Sequence, residues 1–162
     1  MVDYFVDDSP YQIWEINKQY EEECSSDDGY ACYRLAVIKN KDSQYTKALQ
    51  LIENIEKIGT HSEQNLMARE IATNKNWQRE AQEQAVELAL SAVEQMPENF
   101  GYYDTLAATF ARIGKFEAAI STQKIAIKFY LKYAPINNNF DKPKAETFKK
   151  RLEHYQTLNF QK

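Results

Sequence analysis

Two segments of the chain repeat the same order of small, aliphatic and aromatic residues, and this repeat constrains the fold more than any other feature. Residues 102–127 align with residues 31–55 at constant spacing. The matching positions are Leu106 with Leu35, Ala107 with Ala36, Phe116 with Tyr45, Ala119 with Ala48 and Ile120 with Leu49. Self-similarity of this kind is typical of chains built from stacked supersecondary units that bury a continuous core together.

Apolar residues recur at helical spacing along the chain, and no segment shows sustained period-two alternation. Ser9 and Gln12, then Thr60 and Glu63, form capping-box patterns, while Gly59 and Gly114 are positioned to end helices. The sequence therefore predicts an all-α fold. The expected helices span about 10–24, 30–40, 43–58, 62–73, 77–95, 101–113, 115–133 and 141–157.

The repeated unit resembles the tetratricopeptide repeat, a helix-turn-helix of about 34 residues. The pattern is fullest in the third unit, at Tyr103, Leu106, Ala107, Phe110, Gly114, Phe116, Ala119 and Ala126. The middle unit keeps Leu66, Ala68, Ile71, Ala85, Ala92 and Pro97, with a turn enlarged around Trp77. The resemblance implies a single domain over 1–162: an α-solenoid of about three hairpins at 29–58, 60–97 and 99–134. An N-terminal helix precedes them, and a polar capping helix follows at about 141–157.

Both cysteines flank one short acidic turn. Cys24 ends the apolar stripe of the first helix, and Cys32 lies on the inner face of the second. A turn this short leaves two alternatives open, a disulfide or two buried free thiols. The Cys-x7-Cys spacing before Tyr-x-Leu-Ala also resembles the cysteine pairs of Sel1-like bacterial repeat proteins. That resemblance implies a bridge between successive helices and a periplasmic or otherwise extracytoplasmic location, with a cytoplasmic location as the alternative.

Charge is distributed unevenly along the chain. Residues 1–100 carry 19 acidic and 9 basic side chains, and residues 101–162 carry 5 acidic and 11 basic ones. Such polarity fits ordinary solvated surfaces, and it also fits head-to-tail self-association. The net charge of −4 argues against nucleic-acid binding. No apolar run is long enough to span a membrane, and the N-terminus lacks the pattern of a signal peptide.

Signals of catalysis are absent from the sequence. The two histidines, His61 and His154, fall in different elements, and no phosphate loop, HExxH motif or nucleophile elbow occurs. We therefore expect no enzyme activity, no cofactor and no metal site.

The function expected from the resemblance is binding of a protein or peptide segment in a concave groove lined by the first helix of each hairpin. The candidate residues are Tyr30, Tyr33, Val37, Lys41, His61, Gln64, Ala68, Gly101, Asp104, Ala108 and Arg112. Each of them could instead pack against the preceding helix. Repeat domains that hold the C-terminal carboxylate of chaperones carry Lys and Asn in this groove. Here Tyr33, Val37, Asp104 and Ala108 stand in those places, which disfavours a chaperone-tail clamp.

We expect a bacterial adaptor or assembly factor. The alternatives are an immunity-type inhibitor that covers an effector and a cytoplasmic accessory subunit of an enzyme.

Overall fold

The computed structural model describes residues 10–133 and 142–161, and all regular structure in them is helical. The all-α prediction is thus confirmed for the described residues. Their helices are α1 (Pro10–Ser25), α2 (Gly29–Lys41), α3 (Tyr45–Ile58), α4 (His61–Thr73), α5 (Arg79–Gln95), α6 (Phe100–Arg112), α7 (Phe116–Tyr133) and α8 (Lys142–Phe160). The predicted boundaries differ from these by three residues at most.

The described residues form two compact units that meet in sequence between Gly59 and Thr60. In the N-terminal unit, α2 packs against both α1 and α3. In the C-terminal unit, α4 packs against α5 and α6, α6 also packs against α5 and α7, and α7 packs against α8. Within each unit, helices joined by short connections pack as antiparallel neighbours. The sequence prediction of one continuous domain stays a prediction.

The turns inside two hairpins are built identically, which supports the internal repeat at the level of backbone geometry. Between α2 and α3, Ser43 adopts a positive φ of 60°, and Gly114 adopts 80° at the equivalent point between α6 and α7. The backbone hydrogen bond from Gln44 N to Lys39 O in the first turn recurs from Lys115 N to Phe110 O in the second. Glycine suits this conformation best because other residues clash at positive φ.

Caps define several helix ends. The carboxylate of Asp28 accepts a hydrogen bond from Ala31 N at 2.9 Å, which satisfies one of the free amides at the start of α2. The predicted capping box of Thr60 and Glu63 is confirmed, with Thr60 N donating to Glu63 Oε2 at 2.8 Å. The predicted cap at Ser9 lies outside the described residues.

Gly59 ends α3 as predicted, but it does so with extended backbone at φ −70°. A side chain there would place its Cβ 2.5 Å from the Ile55 carbonyl oxygen. Close approach of the backbone, and not a left-handed conformation, is therefore what requires glycine at this position.

Small side chains dominate the contacts of α5. Its inward stripe is buried, with Ala81, Ala85, Leu88, Ala89 and Ala92 all at most 1% exposed, while Val93 is half-buried. Alanines at this spacing let neighbouring helices approach closely. The predicted enlargement of the middle repeat's turn is also present, since residues 74–78 connect α4 to α5 and bury Trp77.

Helix α8 is fixed to the C-terminal unit by one apolar stripe. Ala145 and Phe148 join a buried cluster with Tyr130 of α7. Tyr155 packs in a second cluster with Ala107 of α6 and Ala119 of α7. The opposite face of α8 is polar and exposed. None of the described helices is long and apolar enough to cross a membrane.

Candidate functional site

A cavity of about 320 Å³ lies among α4, α6 and α8 in the C-terminal unit. Small residues make the space for it: Ala72 on α4, with Ala108 and Ala111 on α6. The polar and larger residues that line it are Arg69, Thr73, Asp104, Thr105, Arg112, Arg151, His154, Tyr155 and Leu158. A concave surface with several converging polar groups is the usual form of a binding site.

The charge around this cavity is unbalanced toward positive. Three guanidinium groups line it, those of Arg69, Arg112 and Arg151, against the single carboxylate of Asp104. Because guanidinium groups remain protonated at any physiological pH, this excess is permanent. The cavity therefore favours an anionic group over a neutral or cationic one.

Asp104 is held in place by two donors. It forms an ion pair with Arg151 of α8, and its Oδ1 accepts a hydrogen bond from Gln123 Nε2 at 2.9 Å. The Asp104 side chain is 14% exposed and that of Arg151 is 39% exposed. Asp104 thus neutralises Arg151 and links α8 to α6. It does not compensate the charges of the other two lining arginines, Arg69 and Arg112.

Arg112 is oriented by the end of a neighbouring helix. Its Nη2 donates to the carbonyl oxygen of Asn74, the C-cap residue of α4, at 3.3 Å. A cation is favoured there because the helix dipole is negative at its C-terminus. Arg112 Nε is buried without a hydrogen-bond acceptor among the described residues. Within residues 10–133 and 142–161, neither Arg112 nor Arg69 forms an ion pair with a carboxylate.

Tyr155 presents a neutral phenol beside these charges. Burial and the nearby Asp104 carboxylate raise the pKa of Tyr155 to about 12, although Arg151 acts in the opposite direction. Both causes of the increase disfavour the phenolate. The phenol therefore stays protonated, and it adds no negative charge to the cavity at physiological pH.

Of the groove residues predicted in the C-terminal unit, the structure brings three together in the cavity: Asp104, Ala108 and Arg112.

The other predicted residues of this unit serve packing and local bonding. His61 Nδ1 is 2.7 Å from the Tyr102 hydroxyl oxygen. Gln64 is 3% exposed, and its Oε1 accepts from Gln95 Nε2 of α5 at 3.0 Å. Ala68 is fully buried. Gly101 N donates to Asn99 Oδ1 at 3.0 Å, at the N-terminus of α6. The burial of Gln64 and Ala68 leaves both residues inaccessible to a ligand.

The four groove residues predicted in the N-terminal unit all lie on α2. Tyr30 is 49% exposed, and its ring centroid is 5.8 Å from that of the half-buried Tyr33. Val37 is half-buried and Lys41 is exposed. The two tyrosines form an aromatic surface on this unit.

The cysteine pair predicted as a disulfide candidate lies at disulfide distance. Cys24 of α1 and Cys32 of α2 have Cα atoms 4.7 Å apart and both are buried. The same two helices are also joined by Lys39 Nζ and Glu21 Oε1 at 2.9 Å. The described residues contain no free cysteine.

Sequence reasoning missed the contribution of α8 to the cavity. The predicted groove omits Arg151, His154 and Tyr155 of α8, because the sequence pattern indicates only a polar cap there. It also omits Arg69 of α4, which position within the repeat does not place in the groove. A usable signal was present: Arg151 falls between Phe148 and Tyr155 on the apolar stripe of α8. A charged residue on a buried stripe generally has a partner, and here that partner is Asp104.

A second depression, of about 520 Å³, is lined by residues 96–100 and Tyr133. Among its lining residues only Glu98 is charged, and Glu98 Oε1 accepts a hydrogen bond from the Tyr133 hydroxyl at 2.6 Å. This depression is larger, but it gathers no set of converging polar groups, and we therefore place the candidate site among α4, α6 and α8.

No protein-family model matches the chain, and neither a curated protein nor a solved structure matches it significantly.

Proposed function

We propose that this chain is a protein-binding module whose C-terminal unit docks a segment of a partner in the cavity among α4, α6 and α8. The observation that carries the proposal is the convergence of Arg69, Arg112 and Arg151 on one concave surface floored by alanines. Arginine is among the residue types most frequent at binding hot spots.

The hairpins are proposed to be tetratricopeptide-like and to stack as a solenoid. The repeated turn at Ser43 and Gly114, together with the packing of α4 beside α6, supports this arrangement. In a stacked array the first helices of successive hairpins form one surface, and α8 would extend that surface as the terminal helix. A scaffold of this kind binds with little change in its own backbone.

The biological role proposed is that of a bacterial adaptor or assembly factor working outside the cytoplasm. The pairing of Cys24 with Cys32 at disulfide distance supports the location, because disulfides persist mainly in oxidising compartments. No catalytic role is proposed.

Display of random peptides on phage tests the docking proposal even though the partner is unidentified. Peptides are selected on the wild-type protein and then measured on two tryptophan variants. Ala108→Trp fills the cavity, while Glu87→Trp adds the same bulk on the exposed face of α5. The proposal predicts peptides that bind wild type and Glu87→Trp and lose binding to Ala108→Trp. Peptides that bind all three proteins alike would contradict it, as would a selection that enriches nothing.

A further inference from the structure

We infer that the group recognised in this cavity is a carboxylate, supplied by an acidic segment of a partner protein. The inference rests on the proposed docking function and adds the chemistry of the occupant. It follows from the charges that line the cavity: three arginines and one aspartate leave an excess of two positive charges.

The positive groups are not equivalent. Arg151 is already paired with Asp104, whereas Arg69 and Arg112 have no carboxylate partner among the described residues. Arg112 is also preorganised, since its Nη2 is held by the Asn74 carbonyl at the end of α4. A carboxylate that enters the cavity would compensate these two guanidinium groups, which bind carboxylates through paired hydrogen bonds.

Asp104 shows that the cavity already accommodates one carboxylate against an arginine. The volume of about 320 Å³ suits one side chain or chain terminus and not a folded surface. The compact size of the basic cluster and the chain's net charge of −4 favour an acidic peptide over the repeated phosphates of a nucleic acid.

A partner carboxylate has two sources, an Asp or Glu side chain and a chain terminus. Three fluorescent eight-residue peptides separate them. One has a central Glu-Asp-Glu and an amidated end, one has Gln-Asn-Gln and an amidated end, and one has Gln-Asn-Gln and a free C-terminal carboxylate. Binding to the full chain is measured by fluorescence anisotropy at low ionic strength.

Two charge-removing variants locate the site. Arg112→Gln removes the preorganised guanidinium. Arg69→Gln removes an exposed guanidinium group. The Arg69 side chain makes no intramolecular hydrogen bond among the described residues, so the fold should tolerate the substitution. Lys124→Gln is the matched control, because it removes one positive charge from an exposed position of α7 that does not line the cavity. Circular dichroism establishes that each variant is folded.

The expected result is that the Glu-Asp-Glu peptide binds about tenfold or more tightly than the neutral amide. Each arginine variant should weaken that peptide about tenfold, while Lys124→Gln changes its binding by no more than about twofold. The inference is overturned if the neutral peptide binds equally well, or if Lys124→Gln costs as much as Arg69→Gln. Tight binding of the free-terminus peptide alone would overturn the assignment to an acidic segment. If phage-selected peptides without a carboxylate bind the wild type and lose binding to Ala108→Trp, the docking proposal is supported. Only the inference that the cavity recognises a carboxylate is then contradicted.

Discussion

Replacing Asp104 by asparagine separates a structural role of this residue from its place in a binding site. The variant keeps a side-chain oxygen that can accept from Gln123, and it removes the negative charge that pairs with Arg151. If the cavity binds carboxylates, Asp104→Asn lowers the stability of the protein and raises its affinity for acidic segments. A purely structural role would lower both.

The loss of stability follows from the ion pair. Asp104 is largely buried at 14% exposure, but Arg151 is 39% exposed, so solvent screening reduces the value of the pair. We expect the free energy of unfolding to fall by about 1 kcal/mol, with the Gln123 hydrogen bond retained.

The gain in affinity follows from the cavity charge. Asp104→Asn raises the excess from two positive charges to three and leaves Arg151 without a partner. Two unit charges at about 8 Å and an effective dielectric constant of about 20 interact by roughly 2 kcal/mol before salt screening. Screening at moderate ionic strength brings this to about 1 kcal/mol, or about fivefold in affinity.

Urea unfolding followed by circular dichroism measures the free energy of unfolding, and fluorescence anisotropy of the Glu-Asp-Glu peptide measures the affinity. Asp104→Glu is the control, since it keeps the charge and should not increase affinity. A variant that binds the acidic peptide more weakly than wild type, although it is folded at the assay temperature, would refute the reasoning.

Three further predictions test individual parts of the structure. Replacing both Cys24 and Cys32 by alanine should lower the free energy of unfolding by about 2 kcal/mol, because a bridge between these sites restricts the unfolded chain; reduction by dithiothreitol should destabilise the wild type and leave the double variant unchanged. Because the pKa of Tyr155 is raised to about 12 in the folded protein, the neutral phenol contributes stability that is fully present below about pH 10. That contribution is lost as the pH rises from about 10 to about 12. Tyr155→Phe should therefore lose about 1 kcal/mol less than wild type between pH 8 and pH 11 in urea unfolding, and equal losses would show that the phenol does not cause the effect. Gly114→Ala, at φ 80°, should lower the free energy of unfolding by about 1 kcal/mol in thermal unfolding. Gly101→Ala should lower it clearly less, because φ is negative there and the added Cβ would meet only Asn99 Oδ1, at 3.2 Å. A larger loss from Gly101→Ala than from Gly114→Ala would contradict the turn assignment.

The helices were predictable because local signals and the repeat agreed. Thr60 and Glu63 begin α4 with the predicted capping box, in which the Glu63 carboxylate accepts a hydrogen bond from the free Thr60 amide. The match of Leu35 with Leu106 and of Ala36 with Ala107 predicted equivalent buried positions, and all four residues are at most 5% exposed. Such agreement between local preference and packing is what makes element boundaries readable from sequence.

The candidate site was only partly predictable, because its residues come from helices distant in sequence. Position within the repeat identified Asp104, Ala108 and Arg112 on α6. The same rule placed Gln64 in the groove, although its amide bonds to Gln95 of the adjacent helix. Position within the repeat does not state where α8 packs, so Arg151 and Tyr155 could be assigned only from the tertiary structure.

Site-specific photocrosslinking in the native host tests docking at the cavity most directly. A benzoylphenylalanine at position 73 replaces the exposed Thr73, which lines the cavity, and the same group at position 87 replaces exposed Glu87 on α5 as the control. We predict a discrete adduct from position 73 only, and mass spectrometry of that adduct should identify an acidic segment of the partner. Adducts of equal yield from both positions, or adducts from position 87 alone, would contradict docking at the cavity among α4, α6 and α8.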